Sequence, residues 1–223
     1  MTTRLNRAGV AGALIAASLF LGACGSSQDS SSTGSSGAGV GTSSGKVGDK
    51  LDGAEVAERF FGAMAKARSG HMTTSGSVPA EADWVIKDGK VDQVTTATVN
   101  GVAMETRMIA GMLYLKDASG AWTKTDLSAQ PGSLGDPQSA KEGLKGAPAT
   151  ITKVDGGNTT YQVTIDVAKL TKVPGASGTA TGLYTISSDG LPVSIVSKTA
   201  AGDMTITYSD LGKDVKIEVP PGM

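Results

Sequence analysis

The spacing of apolar positions changes once along this chain, and the change separates a helix from a long run of strands. From Gly53 to Arg68, Val56, Phe60, Met64 and Ala67 recur at spacings of 4, 4 and 3, with Ala57, Phe61 and Ala65 beside them. That is the period of an amphipathic helix. Asp52 is placed to cap its start with Glu55 three residues on, the order of a capping box. Lys66 and Arg68 suit the negative end of the helix dipole, and Gly70 offers a stop. Beyond Gly70 the period falls to two. Val102, Met104, Thr106 and Met108 alternate with Ala103, Glu105, Arg107 and Ile109; Tyr161, Val163, Ile165 and Val167 alternate with Gln162, Thr164 and Asp166. Turn dipeptides fall between the runs, among them Asp88-Gly89, Asn100-Gly101, Ser119-Gly120 and Asp189-Gly190. The pattern predicts about ten short strands, near 72–78, 82–87, 91–99, 102–109, 112–116, 121–124, 149–154, 159–167, 180–187 and 192–199. Residues 203–209 and 215–219 are two further candidates. Alternation with one buried and one wet face implies antiparallel pairing. Between Leu127 and Thr150 the composition turns to Pro, Gly and polar residues, with a short helix expected at Gln138–Lys145 and another turn at Val167–Leu170. The expected fold is α+β: a curved antiparallel half-barrel of about ten strands, with the N-terminal helix and short central helices on its concave face.

The first 48 residues obey neither period. Arg4 and Arg7 precede an apolar run from Val10 to Leu21. About 12 residues rise only ~18 Å as a helix, too little for a ~30 Å hydrocarbon layer, so a signal peptide is expected rather than a span. Leu21-Gly22-Ala23-Cys24 then has the form of a bacterial lipobox, in which Cys24 takes a diacylglyceryl group before cleavage. Two or more acyl chains hold a protein stably on a bilayer, where one binds only marginally. Residues 24–48, rich in Ser and Gly, cannot bury enough apolar surface to offset ordering entropy and are expected to act as a flexible tether. Its reach is roughly 25 Å. The domains expected are a leader at 1–23, the lipidated Cys24 with its tether to 48, and a folded domain from 49 to 223. The protein is expected at the extracytoplasmic face of a bacterial cell membrane.

Composition narrows the function. Lys and Arg number 20 against 21 Asp and Glu in 223 residues, which leaves no broad basic footprint for nucleic acid. One cysteine and one histidine exclude a disulfide framework and a multi-residue Cys/His metal site. Only nine residues are aromatic, so a core of small aliphatics is expected. Gly41-Thr42-Ser43-Ser44-Gly45 matches the G-x-S-x-G form, yet it has no strand before it and no helix after it, as a nucleophile elbow requires. His71, between helix and first strand, reads as a half-exposed structural histidine rather than a headgroup ligand. No catalytic residue, metal ligand or cofactor is expected, and the protein is not read as an enzyme.

Several stretches resemble a known family. They are Ala65-Lys66-Ala67-Arg68-Ser69-Gly70-His71, the pair Met112-Leu113-Tyr114-Leu115 and Gly120-Ala121-Trp122, Asp136-Pro137, and the tail from Tyr208 to Pro221. In order and spacing they resemble the actinobacterial LppX/LprG-type lipoproteins, whose fold is similar to that of the LolA/LolB carriers. The resemblance implies an apolar cavity between sheet and helices that holds acyl chains of lipids or glycolipids, and a role in moving them across the envelope. The central segment, Asp136 to Thr150, is shorter here than the family implies, so a smaller or more open cavity is expected. The residues expected to face such a cavity are Phe60, Phe61, Met64, Trp84, Met104, Met108, Leu113, Leu115 and Trp122. The alternative is an envelope scaffold with the same fold and a filled core. The partners expected are the membrane, through the diacylglyceryl anchor, and a lipid or glycolipid; a protein partner is not identified, and a monomer is expected.

Overall fold

Twelve strands and one helix take up most of what the computed structural model describes, namely residues 45–223 apart from 77, 100, 127–140, 167–177 and 200–201. They run β1 (Lys50–Asp52), α1 (Gly53–Ala67), β2 (Ser69–Ser75), β3 (Ala80–Lys87), β4 (Lys90–Val99), β5 (Val102–Ile109) and β6 (Met112–Lys116). Then follow β7 (Trp122–Asp126), β8 (Pro148–Asp155), β9 (Asn158–Asp166), β10 (Thr179–Ser187), β11 (Pro192–Thr199) and β12 (Gly202–Ser209). The strands form one antiparallel sheet in the order β1-β8-β9-β10-β11-β12-β2-β3-β4-β5-β6-β7. All ten expected strands and the candidate at 203–209 form; β1 was not expected. The leader, Cys24, the tether up to residue 44 and the turn at Val167–Leu170 lie outside the described residues. Of the short helix expected at Gln138–Lys145, only 141–143 are described as helical.

The helix explains the curl of the sheet. It leaves the edge strand β1 and delivers the chain to β2, six strands away in the sheet. Flat, that separation would be about 29 Å at ~4.8 Å per strand, whereas a 15-residue helix spans about 22 Å. The sheet must bend to bring β1 and β2 within the helix's length, and the bend wraps β8–β12 around it. Asp52 caps the helix start: its Oδ1 accepts from the Ala54 amide at 2.8 Å and its Oδ2 from the Gly146 amide at 2.9 Å. Glu55, expected to complete a capping box, instead pairs with Arg59 one turn on, at 2.6 Å. Arg68 closes the helix with φ 66°, its amide donating to Met64 O at 2.9 Å. Gly70 is therefore not the stop. It lies in β2, where a β-carbon would come within 3.0 Å of Ser209 O and 3.1 Å of the Trp84 ring.

The candidate strand at 215–219 is not one. Here the chain crosses the outer face, away from the helix, as an extended tail. Gly212 N donates to Ser69 O at 2.9 Å, Ser69 Oγ donates to Lys213 O at 2.6 Å, and Arg107 donates to Glu218 O at 2.7 Å. Ile217 is buried between exposed Lys216 and Glu218. An extended chain lying on a surface alternates with the same period as a strand, and periodicity alone cannot tell the two apart.

Candidate functional site: the inner face of the sheet

Cross-strand register sorts every strand residue to one face. One inner row runs Tyr208, Met72, Ala82, Thr95, Thr106, Leu115; the next runs Gly70, Trp84, Gln93, Met108, Leu113. A third passes through Tyr161, Tyr184, Ile195, Ile206, Thr74, Ala80, Ala97 and Met104. Eight of the nine expected residues lie on the inner face or on the buried side of α1. They do not form a single lining.

Phe60, Phe61, Met64 and Trp84 belong to a packed core under α1, with Phe60 and Trp84 both 0% exposed. Phe60 meets Tyr184 and Tyr208 edge-on at ring separations of 5.6 and 5.5 Å, and Trp84 meets Tyr208 at 6.3 Å. Such edge-to-face pairs add to the value of burying the rings. Tyr184 folds back over Gly182, where a β-carbon would stand 2.8 Å from the ring. Six of the nine aromatics, Phe60, Phe61, Trp84, Tyr161, Tyr184 and Tyr208, gather here. The expectation of a small-aliphatic core thus fails locally. Tyr161, Tyr184 and Tyr208 were not among the expected residues, although their alternation with Val163, Ile186 and Ile206 places each on the apolar side of its strand.

Met104, Met108, Leu113 and Leu115 differ. They share the inner face on β5 and β6 but are only half-buried. Helix α1 packs on β1, β2 and β8–β11, at the other end of the sheet. Trp122 is on the outer face, contrary to expectation. It pairs with Lys116, one row from Arg107, Tyr114 and Lys124 on the same face, and its ring lies 5.2 Å from the Arg107 guanidinium and 5.6 Å from the Lys116 ammonium. The strand Trp122–Asp126 reads WTKTD; with one apolar residue it has no alternation from which a face could be read.

The outer face is polar and clamped. His71 Nδ1 lies 2.9 Å from Asp83 Oδ1, and Lys213 Nζ of the tail lies 2.8 Å from the same oxygen. Lys213, and after it His71, hold the Asp83 carboxyl below its usual range. Asp92 is buried; its Oδ1 accepts from the Ala110 amide at 2.9 Å and so fixes the β5–β6 turn. A cleft of about 410 Å³ is lined by Asp83, Val94, Arg107, Lys216, Ile217 and Glu218, and another of about 300 Å³ lies by Met104, Glu105 and Lys116. The charges around both are unlike the lining of an acyl pocket. Among the described residues, no cluster of three His, Cys, Asp or Glu could hold a metal, and no helix is long and apolar enough to cross a membrane.

No family model matches the chain, and no curated protein matches it. Solved structures do, two mycobacterial lipoproteins among them. One is LprF from Mycobacterium bovis, at 20% identity and a TM-score of 0.48, covering 77% of this chain and 100% of that one. The other is the Mycobacterium tuberculosis lipoprotein LppX, at 17% identity and a TM-score of 0.48, covering 74% of this chain and 97% of that one. The chain is thus similar to LprF and LppX, and the second of these is among the lipoproteins to which its sequence is likened.

Proposed function

We propose that this protein is a membrane-anchored lipoprotein that takes acyl chains of lipids or glycolipids onto the apolar inner face of its sheet and passes them across the envelope. The observation that carries the reading is the partial burial of Met104, Met108, Leu113 and Leu115 on the side of the sheet that elsewhere forms the core. An acyl chain laid there trades one apolar environment for another. Each CH2 is worth ~0.8 kcal/mol against water, so transfer between bilayer and protein is close to neutral and runs both ways. Methionine, unbranched and polarizable, adapts to chains of different shape. Cys24 would hold the domain within a tether's reach of the bilayer, with no bond made or broken in the lipid.

The packing under α1 favours a second reading. Phe60, Tyr184, Tyr208 and Trp84 fill that space, as an envelope scaffold with a solid core requires. Mass spectrometry of organic extracts from the Cys24→Ala protein separates the two. Near-stoichiometric co-purifying lipid supports the carrier; protein free of lipid, which also fails to take up added phospholipid, supports the scaffold. A chain lacking residues 1–24 is expected to fold and to leave the membrane fraction. Its retention there would refute the anchor.

A further inference from the structure

Two hydrogen-bond donors in the core have been left without acceptors. Trp84 Nε1 and Tyr208 Oη are buried, and neither has a partner among the described residues. Both residues are nearly inaccessible, at 0% and 6% exposure, and their rings touch. Phe60 covers Tyr208, Met72 and Ala82 follow it along the row, and Gln93, whose amide donates to Thr95, stands across from Trp84. Burial, and after it the nearby Tyr184 hydroxyl, raises the Tyr208 hydroxyl's pKa, so it stays a neutral donor at physiological pH.

An unpaired buried donor costs free energy that a phenylalanine would not, and it could be removed without changing the shape of the core. Donors kept at that cost in otherwise consistent packing mark a place where a second requirement acts. The rows show where an acceptor could come from. Tyr208 heads the row that ends at Leu115, and Trp84 stands in the row that continues to Met108 and Leu113. Trp84 and Met108 are two strands apart, about 10 Å. Trp84 therefore stands at the core-side edge of the apolar strip, and Tyr208, four strands from β5, reaches that edge only through its contact with the Trp84 ring.

We infer that Trp84 and Tyr208 form the polar end of the lipid site, donating to the carbonyl oxygen of an acyl group whose chain runs over Met108, Leu113 and Leu115. This rests on the carrier reading and adds a ligand chemistry to it: acyl lipids, with an ester, amide or carboxyl carbonyl, rather than alkyl ethers. Ser197 Oγ, the third unpartnered group, lies in the row through Gly182 and Met204, beyond the Ile195–Ile206 row from Tyr208, and is not part of this pair.

The test compares 1-palmitoyl-lysophosphatidylcholine with its 1-O-hexadecyl ether, which lacks the carbonyl. The wild-type protein is expected to bind the ester about three- to ten-fold more tightly, the worth of one or two neutral hydrogen bonds. Tyr208→Phe should reduce that preference toward unity while melting no lower than wild type without lipid. In protein with 15N-labelled tryptophan, the Trp84 indole N–H resonance should shift with the ester and not with the ether, while that of Trp122 stays fixed. Equal affinities in the wild type, a preference that survives Tyr208→Phe, or an indole shift common to both lipids would overturn the donor pair and leave lipid binding intact. A Tyr208→Phe protein that melts well below wild type would show that the hydroxyl already has a partner, and would overturn it too. Binding of neither lipid would overturn the carrier reading together with this one.

Discussion

One face of one sheet is used in two ways. Across β1, β8–β12 and β2 it meets α1, and the apolar side chains are buried among aromatic rings in edge contact. Across β5 and β6 the same alternation presents Met104, Met108, Leu113 and Leu115, and none is fully buried. The sequence pattern is the same in both halves, so the pattern is not what makes the difference. Helix length is. Fifteen residues reach from β1 to β2 and no further, which assigns the first half to stability and leaves the second for something else to touch. Aromatic residues follow the division: six are in the first half, and β5 and β6 contribute no aromatic to the inner face.

The comparison breaks most readily at Phe60. Phe60→Ala removes a ring that touches Phe61, Tyr184 and Tyr208, and is expected to cost about 3–5 kcal/mol in denaturant unfolding. A loss below about 1 kcal/mol would mean that the first half is not the packed one.

Alkaline pH tests the same half. Burial pushes the Tyr184 pKa up to about 12, and that of Tyr208 is raised as well; in the unfolded chain both titrate near 10. The folded state then holds protons that the unfolded state releases. The tyrosines' contribution to stability should be constant below about pH 10 and fall as the pH rises from 10 toward 12, by on the order of 1 kcal/mol per tyrosine per pH unit. Denaturant midpoints at pH 8 and 11 measure the fall, and Tyr184→Phe should lessen it. An undiminished fall in that variant would count against burial as the cause.

In the second half, Met108→Ala should cost only about 1 kcal/mol or less while measurably lowering the lipid recovered with the protein. A large stability loss with unchanged lipid would reverse the assignment of the two halves. Smallest of all is Asp83→Asn on the outer face, which removes the anchor for His71 and Lys213. Since that carboxylate is 45% exposed, the stability change should stay within about 0.5 kcal/mol at pH 7. The depressed Asp83 pKa makes its contribution present above pH ~4 and lost as the pH falls through the lower folded value. Limited proteolysis of the tail after Asp210 is the sensitive readout, and the variant should be cut faster.

Period and turn chemistry determined a great deal without coordinates. The helix at 53–68, ten strand positions and the antiparallel pairing could all be read, because each depends on residues within a few positions of one another. Where a feature depended on a distant partner, reading along the chain failed. Glu55 turned to Arg59, Gly70 was needed under Trp84 rather than as a helix stop, and Val215–Val219 alternated because Ile217 lies against the outer face, not because a strand forms. Trp122 took its face from pairing with Lys116, which WTKTD could not announce. The gathering of Tyr161, Tyr184 and Tyr208 around Phe60 spans 149 positions of sequence, and their pooling appears only once the rows are assembled. Local sequence thus determined which faces are apolar. Tertiary structure alone decided which part of the apolar face is filled, because a helix of given length spans only so many strands of a curved sheet.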